Sequence, residues 1–482
     1  MGGGDLVRGG RVLLLVCSAA AVVSFVVRKK KKKAKFQEVG GGWLWFGQAA
    51  RLHDVGRIPD VFDSWAEEFG VCEFTLMGQK YLLLADLEAV RALSKLRPRR
   101  VQRVKSGRDA IDSVVSGVFS AELPAWTVER RLMTPAFNHA NLSKFLPTLD
   151  FLGERLVKAV KKKKKTVTNN GVVDASALSA AYTSDAIGFL SFGQDFGSLR
   201  DDGSTVKALF DNVLKTINDR SYSFLHLWKI PILGDYLDGA GKLRQSLHTL
   251  IEKVIKGKKQ GDSTILDRML AANLLESQKL SDERLAGNVA TVYVAGTDTT
   301  ASTLAWMLYA LATHQDFQEE ARREAKFLSE EKKHSLPDLL AKMPLLRSLF
   351  WETLRLRGPA PMLVFCNEHE PITVLGRTLE PMEYAIVVPL RFLGTRPEAG
   401  GPTFDPKRWV SHGTFKTFTA MPFGFGVRTC PAKDLAEIEA CLACAHLLKA
   451  FQHINFIDDH GHPQPTFRFT QQPDRPIRLA FS

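Results

Sequence analysis

The stretch Pro422-Phe423-Gly424-Phe425-Gly426-Val427-Arg428-Thr429-Cys430-Pro431-Ala432 decides how the rest of the chain is read. Two glycines loosen a loop that ends on one cysteine, and a proline follows at once, suited to a first helical turn where no N–H is needed. A cysteine at a helix N-terminus feels the positive end of the helix dipole and the unpaired N–H groups there. Its anion is therefore favoured, and the anion is the form that ligates metal. Gly424 and Gly426 let the backbone lie close to a flat macrocycle and aim amides at the sulfur. Arg428 offers a cation to a carboxylate.

Phe423, Gly426, Arg428 and Cys430 at these offsets, followed by Ala436 and Glu439, resemble the haem-binding loop and proximal helix of the cytochrome P450 superfamily. Ala432 stands where that family usually has glycine. The resemblance implies a mainly α fold with a smaller β-rich region and haem b as cofactor. Cys430 would be the axial ligand of the iron, with Phe423, Gly426 and Arg428 in the cofactor's cradle. It also implies a monooxygenase, which inserts one atom of O2 into a hydrophobic small molecule of the sterol, fatty acid or isoprenoid class. Electrons would come from an NADPH-dependent reductase docking near Arg130, Arg131 and Lys433, where positive charge attracts an acidic partner. If the chain enters an organelle, the donor would be a ferredoxin. Two other readings stay open: a haem-thiolate isomerase or dehydratase acting on peroxides, and a haem-thiolate sensor without turnover.

Residues 284–314 have the length and apolar content of a long buried helix, yet the middle reads Ala295-Gly296-Thr297-Asp298-Thr299-Thr300. A central glycine costs about 1 kcal/mol relative to alanine, and Thr and Asp compete for helical hydrogen bonds, so a departure from regular helix is expected there. Within the resemblance, Gly296 opens a groove for dioxygen, and Asp298 and Thr299 are the acid and alcohol that relay protons. Glu352 and Arg355 stand three apart, on one helix face. The resemblance joins them to Arg408 as a structural lock around the cysteine loop. Trp126 and Arg130 stand one turn apart, and the resemblance assigns both to a haem propionate. After Pro359-Ala360-Pro361 many relatives carry Arg or His near the propionates, whereas this chain has Val364-Phe365-Cys366-Asn367. The clamp is then either weaker or completed by another cation.

The net charge of +13 raises the question of nucleic acid. Arg28, Lys29 to Lys33 and Lys35 form one basic run, Lys158 and Lys161 to Lys165 another, and together they account for the whole excess. A neutral body with two lysine runs is not a duplex-binding face. The first run follows residues 12–27, which carry no charge and have Arg8 and Arg11 before them. This pattern predicts one N-terminal transmembrane helix, an uncleaved anchor in the endoplasmic reticulum membrane with the catalytic body on the cytoplasmic side. Sixteen residues is short for a span of about twenty, and a plastid or mitochondrial transit peptide is the alternative. Gly40-Gly41-Gly42 then replaces the proline-rich hinge of similar anchored proteins, and Trp43, Leu44, Trp45 and Phe46 follow. Residues 1–42 are read as anchor and linker, and 43–482 as one catalytic domain. Six scattered cysteines point to reducing surroundings, with Cys441 and Cys444 as small core residues. Strands are expected within 71–84 and 362–390, and a capped helix from Asp316. Loops are expected at 161–171, 200–204, 257–263 and 394–402.

Overall fold

A single helix of 32 residues, Asp282–Thr313, is the spine of the protein. Ser281 caps it by accepting the Arg284 N–H, and Asp282 and Glu283 complement the dipole in its first turn. The helix runs unbroken through 295–300, where the sequence predicts a break. The hydroxyl groups bond along the helix instead of competing with it: Thr299 donates to the Ala295 carbonyl at 2.6 Å and Thr303 to that of Thr299 at 2.9 Å. Tertiary packing does the rest, since residues 288–294 and 300–312 are buried on every side.

The computed structural model describes residues 36–42, 46–165, 171–200, 205–223, 227–230, 238–256, 264–277, 279–327, 335–410 and 421–482. The apolar run 12–27, its basic flank, Cys17, the residues Trp43, Leu44 and Trp45, and the expected loops at 201–204 and 257–263 lie outside the described residues. Among the described residues, no helix is long and apolar enough to cross a membrane.

Six helices frame the site: α1 (Ala125–Met133), α2 (Leu146–Lys165), α3 (Ala175–Ile187), the spine α4 (Asp282–Thr313), α5 (Pro344–Arg357) and α6 (Lys433–Ala450). They share one apolar core, in which Cys441 and Cys444 are fully buried. Lys161 to Lys165, expected in a loop, form the end of α2. Lysine is a fair helix former, and cations are favoured where the dipole is negative. Asp316 lies inside the first turn of helix Gln315–Phe327 and does not cap it. Gly394 belongs to the short helix Leu390–Thr395, and Pro397–Ala399 form a single turn, so only part of 394–402 is irregular.

The β-rich region centres on six strands: β1 (Gln37–Glu38), β2 (Val71–Leu76), β3 (Gln79–Leu84), β4 (Gln102–Arg103), β5 (Leu363–Cys366) and β6 (Ala385–Val388). Their spatial order is β1-β2-β3-β6-β5-β4. Gln37 pairs with Cys72, so the sheet takes in residues ahead of the triple glycine. In the β4–β5 pair, Gln102 faces Cys366 and Arg103 faces Phe365. A separate hairpin, β7 (Pro465–Phe467) and β8 (Gln471–Pro473), lies beside the middle of α4.

Candidate functional site

Gly424 and Gly426 take φ values of 75° and 68°, a left-handed backbone that side chains with a Cβ disfavour. A Cβ at 426 would also stand 3.0 Å from the Ser94 carbonyl oxygen. The loop thus folded returns the Cys430 N–H to the Phe423 carbonyl at 3.0 Å. The Phe423 ring rests on Phe350 and Trp351 of α5, with centroids 6.2 and 5.4 Å apart. α6 opens at Lys433, just beyond the cysteine. Burial pushes the Cys430 thiol up, and the Ala432 N–H, Arg130 and Lys433 only partly oppose this. The helix start therefore does not favour the anion by itself, contrary to the dipole argument, because desolvating the sulfur outweighs the nearby donors. A bound metal cation would supply the missing stabilisation, since a coordinating thiol is deprotonated outright.

Beside this loop lies a cluster of buried arginines. Arg428 pairs with Glu122, donates to the Ala121 carbonyl at 2.9 Å, and covers the Trp126 ring at 4.5 Å. Arg97 is 7% exposed and lies over the Phe365 ring at 4.4 Å. Its Nε and Nη2, and the Nε of Arg428, are buried without a hydrogen-bond partner. Arg103 lies over Phe119 at 3.8 Å and donates its backbone N–H to Glu122 at 3.0 Å, while Arg108 pairs with Glu368. Four guanidinium groups thus meet two carboxylates. Burial and then the neighbouring cations pull Arg103 down to about 9, and burial and Arg428 pull Arg97 down to about 10. Buried cations left short of partners are costly. The two propionates of haem b match both the excess charge and the orphaned N–H groups, so the residues present fit this cofactor. The cation that β5 lacks can come from the neighbouring β4 and the chain just before it.

Trp126 and Arg130 do not converge on one another's partner. The Trp126 ring lies under Arg428, whereas Arg130 Nη2 donates to the Thr429 carbonyl at 2.7 Å, bracing the cysteine loop from α1. Arg131 is tied to Glu276 at 2.5 Å, and Lys433 is exposed.

On the other side of the site is the middle of α4. Ala295 is exposed and residues 296–299 are half-buried, although the helix on either side is covered. Gly296 faces α3: a Cβ there would lie 2.9 Å from Ile187 Cδ1, so close helix packing gives this glycine a reason of its own. Asp298 turns to the hairpin, accepting hydrogen bonds from the Thr470 hydroxyl and, at 2.6 Å, from Gln472 Nε2. Burial raises its pKa, with the Thr470 bond the strongest opposing influence.

Glu352, Arg355 and Arg408 meet as a buried node. Arg355 grips Glu352 with two bonds, of 2.7 and 2.8 Å, and reaches the carbonyls of Gly394, Gly401 and Thr403. Arg408 Nε is 3.1 Å from Glu352, which also accepts from the Asp405 N–H at 2.8 Å and the Trp409 indole at 2.9 Å. Sequence reasoning missed Arg97, Arg103, Glu122, Gln472 and Trp409, and read residues 467–470 only as an apolar lining for the substrate. For the arginines a signal existed, since four stand within residues 97–103. For Gln472 there was none.

The family model described as Cytochrome P450 matches residues 39–479. Among curated proteins, the chain is 28% identical to "Cytochrome P450 11B, mitochondrial" of Aquarana catesbeiana, over 76% of this chain and 72% of that one. It is 26% identical to "Cytochrome P450 4A14" of Rattus norvegicus, over 92% and 89%. It is also 27% identical to "Cholesterol side-chain cleavage enzyme, mitochondrial" of Oncorhynchus mykiss, over 70% and 67%.

Proposed function

The chain belongs to the cytochrome P450 family and is a haem b monooxygenase of hydrophobic molecules, and from that premise we propose that its substrate is an apolar lipid of the sterol, fatty acid or isoprenoid class. The observation that carries the site assignment is Cys430, a half-buried thiol on a glycine-shaped loop beside an arginine cluster short of anions. When bound, the haem supplies a thiolate-ligated iron that favours O–O cleavage. The chain's residues do the rest. Cys430 would hold the metal, and Phe423 and Gly426 shape its loop. Arg97, Arg428 and Trp126, with Arg103 behind them, take the propionates, and Arg130 braces the loop. Apolar rings from Phe119, Phe467 and Phe469 keep water from the substrate, and Asp298 with Thr299 moves protons. Glu352, Arg355 and Arg408 are structural.

Two measurements test these roles. Thr299→Ala lowers product formed per NADPH consumed by about tenfold or more, as loss of a positioned proton donor does; unchanged coupling removes the relay. Arg97→Ala speeds haem transfer to apomyoglobin by about 10- to 100-fold, the loss of a charge-assisted bond worth roughly 1.5–3 kcal/mol. An unchanged rate removes Arg97 from the clamp.

The substrate class is tested by a ligand-induced spectral screen over these lipids, followed by reductase-driven loss of each hit. Turnover of a hydroperoxide without reductase would instead make the protein an isomerase or dehydratase. We assign the residues ahead of Gln37 to an anchor and linker, since Gln37 and Glu38 already pair in the catalytic domain's sheet, with an NADPH-cytochrome reductase as donor at the endoplasmic reticulum. The word mitochondrial in two relatives' names supports the second reading, an organelle and a ferredoxin. Supplying each donor to the purified protein, and fractionating cells that express it, separates the two.

A further inference from the structure

We propose that Thr470 and Gln472 are positioning residues that govern when Asp298 gives up its proton, an inference that rests on Asp298 and Thr299 being the proton pair. Thr470, the last residue of the hairpin turn, and Gln472 of β8 both turn their side chains to Asp298, while Gln471 between them does not. The Thr470 hydroxyl and Gln472 Nε2 each donate to a different oxygen of Asp298, and Gln472 Nε2 also lies 3.2 Å from Thr470 Oγ1. Gln471 points away, accepting from Arg391 at 3.2 Å and donating to the Gly358 carbonyl at 3.3 Å. Backbone bonds hold the hairpin in place: Gln471 N–H to the Pro359 carbonyl at 2.8 Å, Ser302 Oγ to the Gln471 carbonyl at 2.7 Å, and Phe469 N–H to Asn218 at 2.7 Å. The two donors thus reach the acid from a fixed backbone.

Both donors are neutral. The charged groups facing Asp298 are Lys207 and Asp211 of helix Thr205–Ser221, which act on it in opposite directions and pair with each other at 2.5 Å. Lys207 and Asp211 oppose each other, which leaves burial pulling one way and two neutral hydrogen bonds, the Thr470 bond the stronger, pulling the other. A hydrogen bond to the charged form favours it. Removing either donor therefore makes Asp298 keep its proton to higher pH.

The test uses the haem-loaded full chain. The carboxyl band of Asp298 is identified in infrared difference spectra as the band that Asp298→Asn removes, and its titration is followed in Thr470→Val and Gln472→Leu. Each substitution is expected to raise the midpoint by about 1 pH unit. The limb of the coupling-versus-pH profile that Asp298→Asn abolishes moves the same way, and Thr470→Ser restores both. A midpoint unmoved in both variants, a shifted midpoint with an unmoved limb, or the lack of any Asp298 band overturns the proposal. Thr299→Ala is run in parallel: if it leaves coupling intact, the proton-pair reading itself fails, whatever the band does.

Discussion

Replacing Cys430 by alanine abolishes the far-red-displaced Soret peak of the ferrous carbon monoxide adduct and leaves the purified protein with little or no haem, while its helical circular dichroism persists. The argument is one of access as much as chemistry. The other described cysteines are buried in packed surroundings: Cys72 and Cys366 in the sheet, Cys441 and Cys444 in α6. Burial pushes Cys72, Cys366 and Cys444 up to about 12 and raises Cys430 as well, so what sets Cys430 apart is its partly open position on the glycine-shaped loop. Cys444→Ala accordingly keeps the peak and serves as the control for handling damage. Because the protein alone raises the Cys430 thiol, a bound metal would be needed to ionise it, and apoprotein should react sluggishly with alkylating reagents at neutral pH. A Cys430→Ala protein that kept the displaced peak would end the assignment of the ligand, and with it the site described above.

The second large effect is at the buried node. Glu352→Leu leaves Arg355, itself 2% exposed, without its carboxylate, and strips the Trp409 indole and the Asp405 N–H of their acceptor. Removing one partner of a buried ion pair costs about 3–5 kcal/mol, against a total stability of about 5–15 kcal/mol for a native protein. The expected result is a fall in the yield of soluble haem-loaded protein to a small fraction of the parent. Arg355→Lys is expected to lower the yield likewise, since one ammonium cannot make the five bonds that the guanidinium fork makes to Glu352, Gly394, Gly401 and Thr403. Asp219→Asn is the contrast. Its pair with Lys215 is exposed on both sides and is worth at most about 1 kcal/mol, so the melting temperature should hardly change. If Glu352→Leu folded and held haem like the parent, the node would be dispensable and its structural role wrong.

Glu324 shows why charge and burial have to be read together. Its two oxygens accept the Leu345 and Leu346 N–H groups at the start of α5, each at 2.9 Å, yet burial still raises it to about 7. The sequence around it reads as an ordinary polar helix, and no pattern of residue types announces such an environment. The same holds for Arg97 to Arg103, which in sequence is only a dense basic patch. Folding puts Arg103 across from Phe365 and slides Arg97 over the same ring, and that placement makes the patch a candidate anion clamp.

What the sequence determined by itself was local in the chain. The cysteine loop lies within eleven residues, Glu352 and Arg355 share one helical turn, and the apolar length of α4 shows in any window along it. Each depends on backbone preferences and spacings that a few neighbouring residues set. The tertiary structure alone decided what depends on desolvation and distant partners: that α4 runs straight through 295–300, that the Cys430 thiol is raised and not lowered, that Arg130 braces the loop, and that Asp298 answers to Thr470 and Gln472. The physical reason is that burial and cross-chain hydrogen bonds are properties of the surrounding volume. That volume is assembled from residues more than a hundred positions apart.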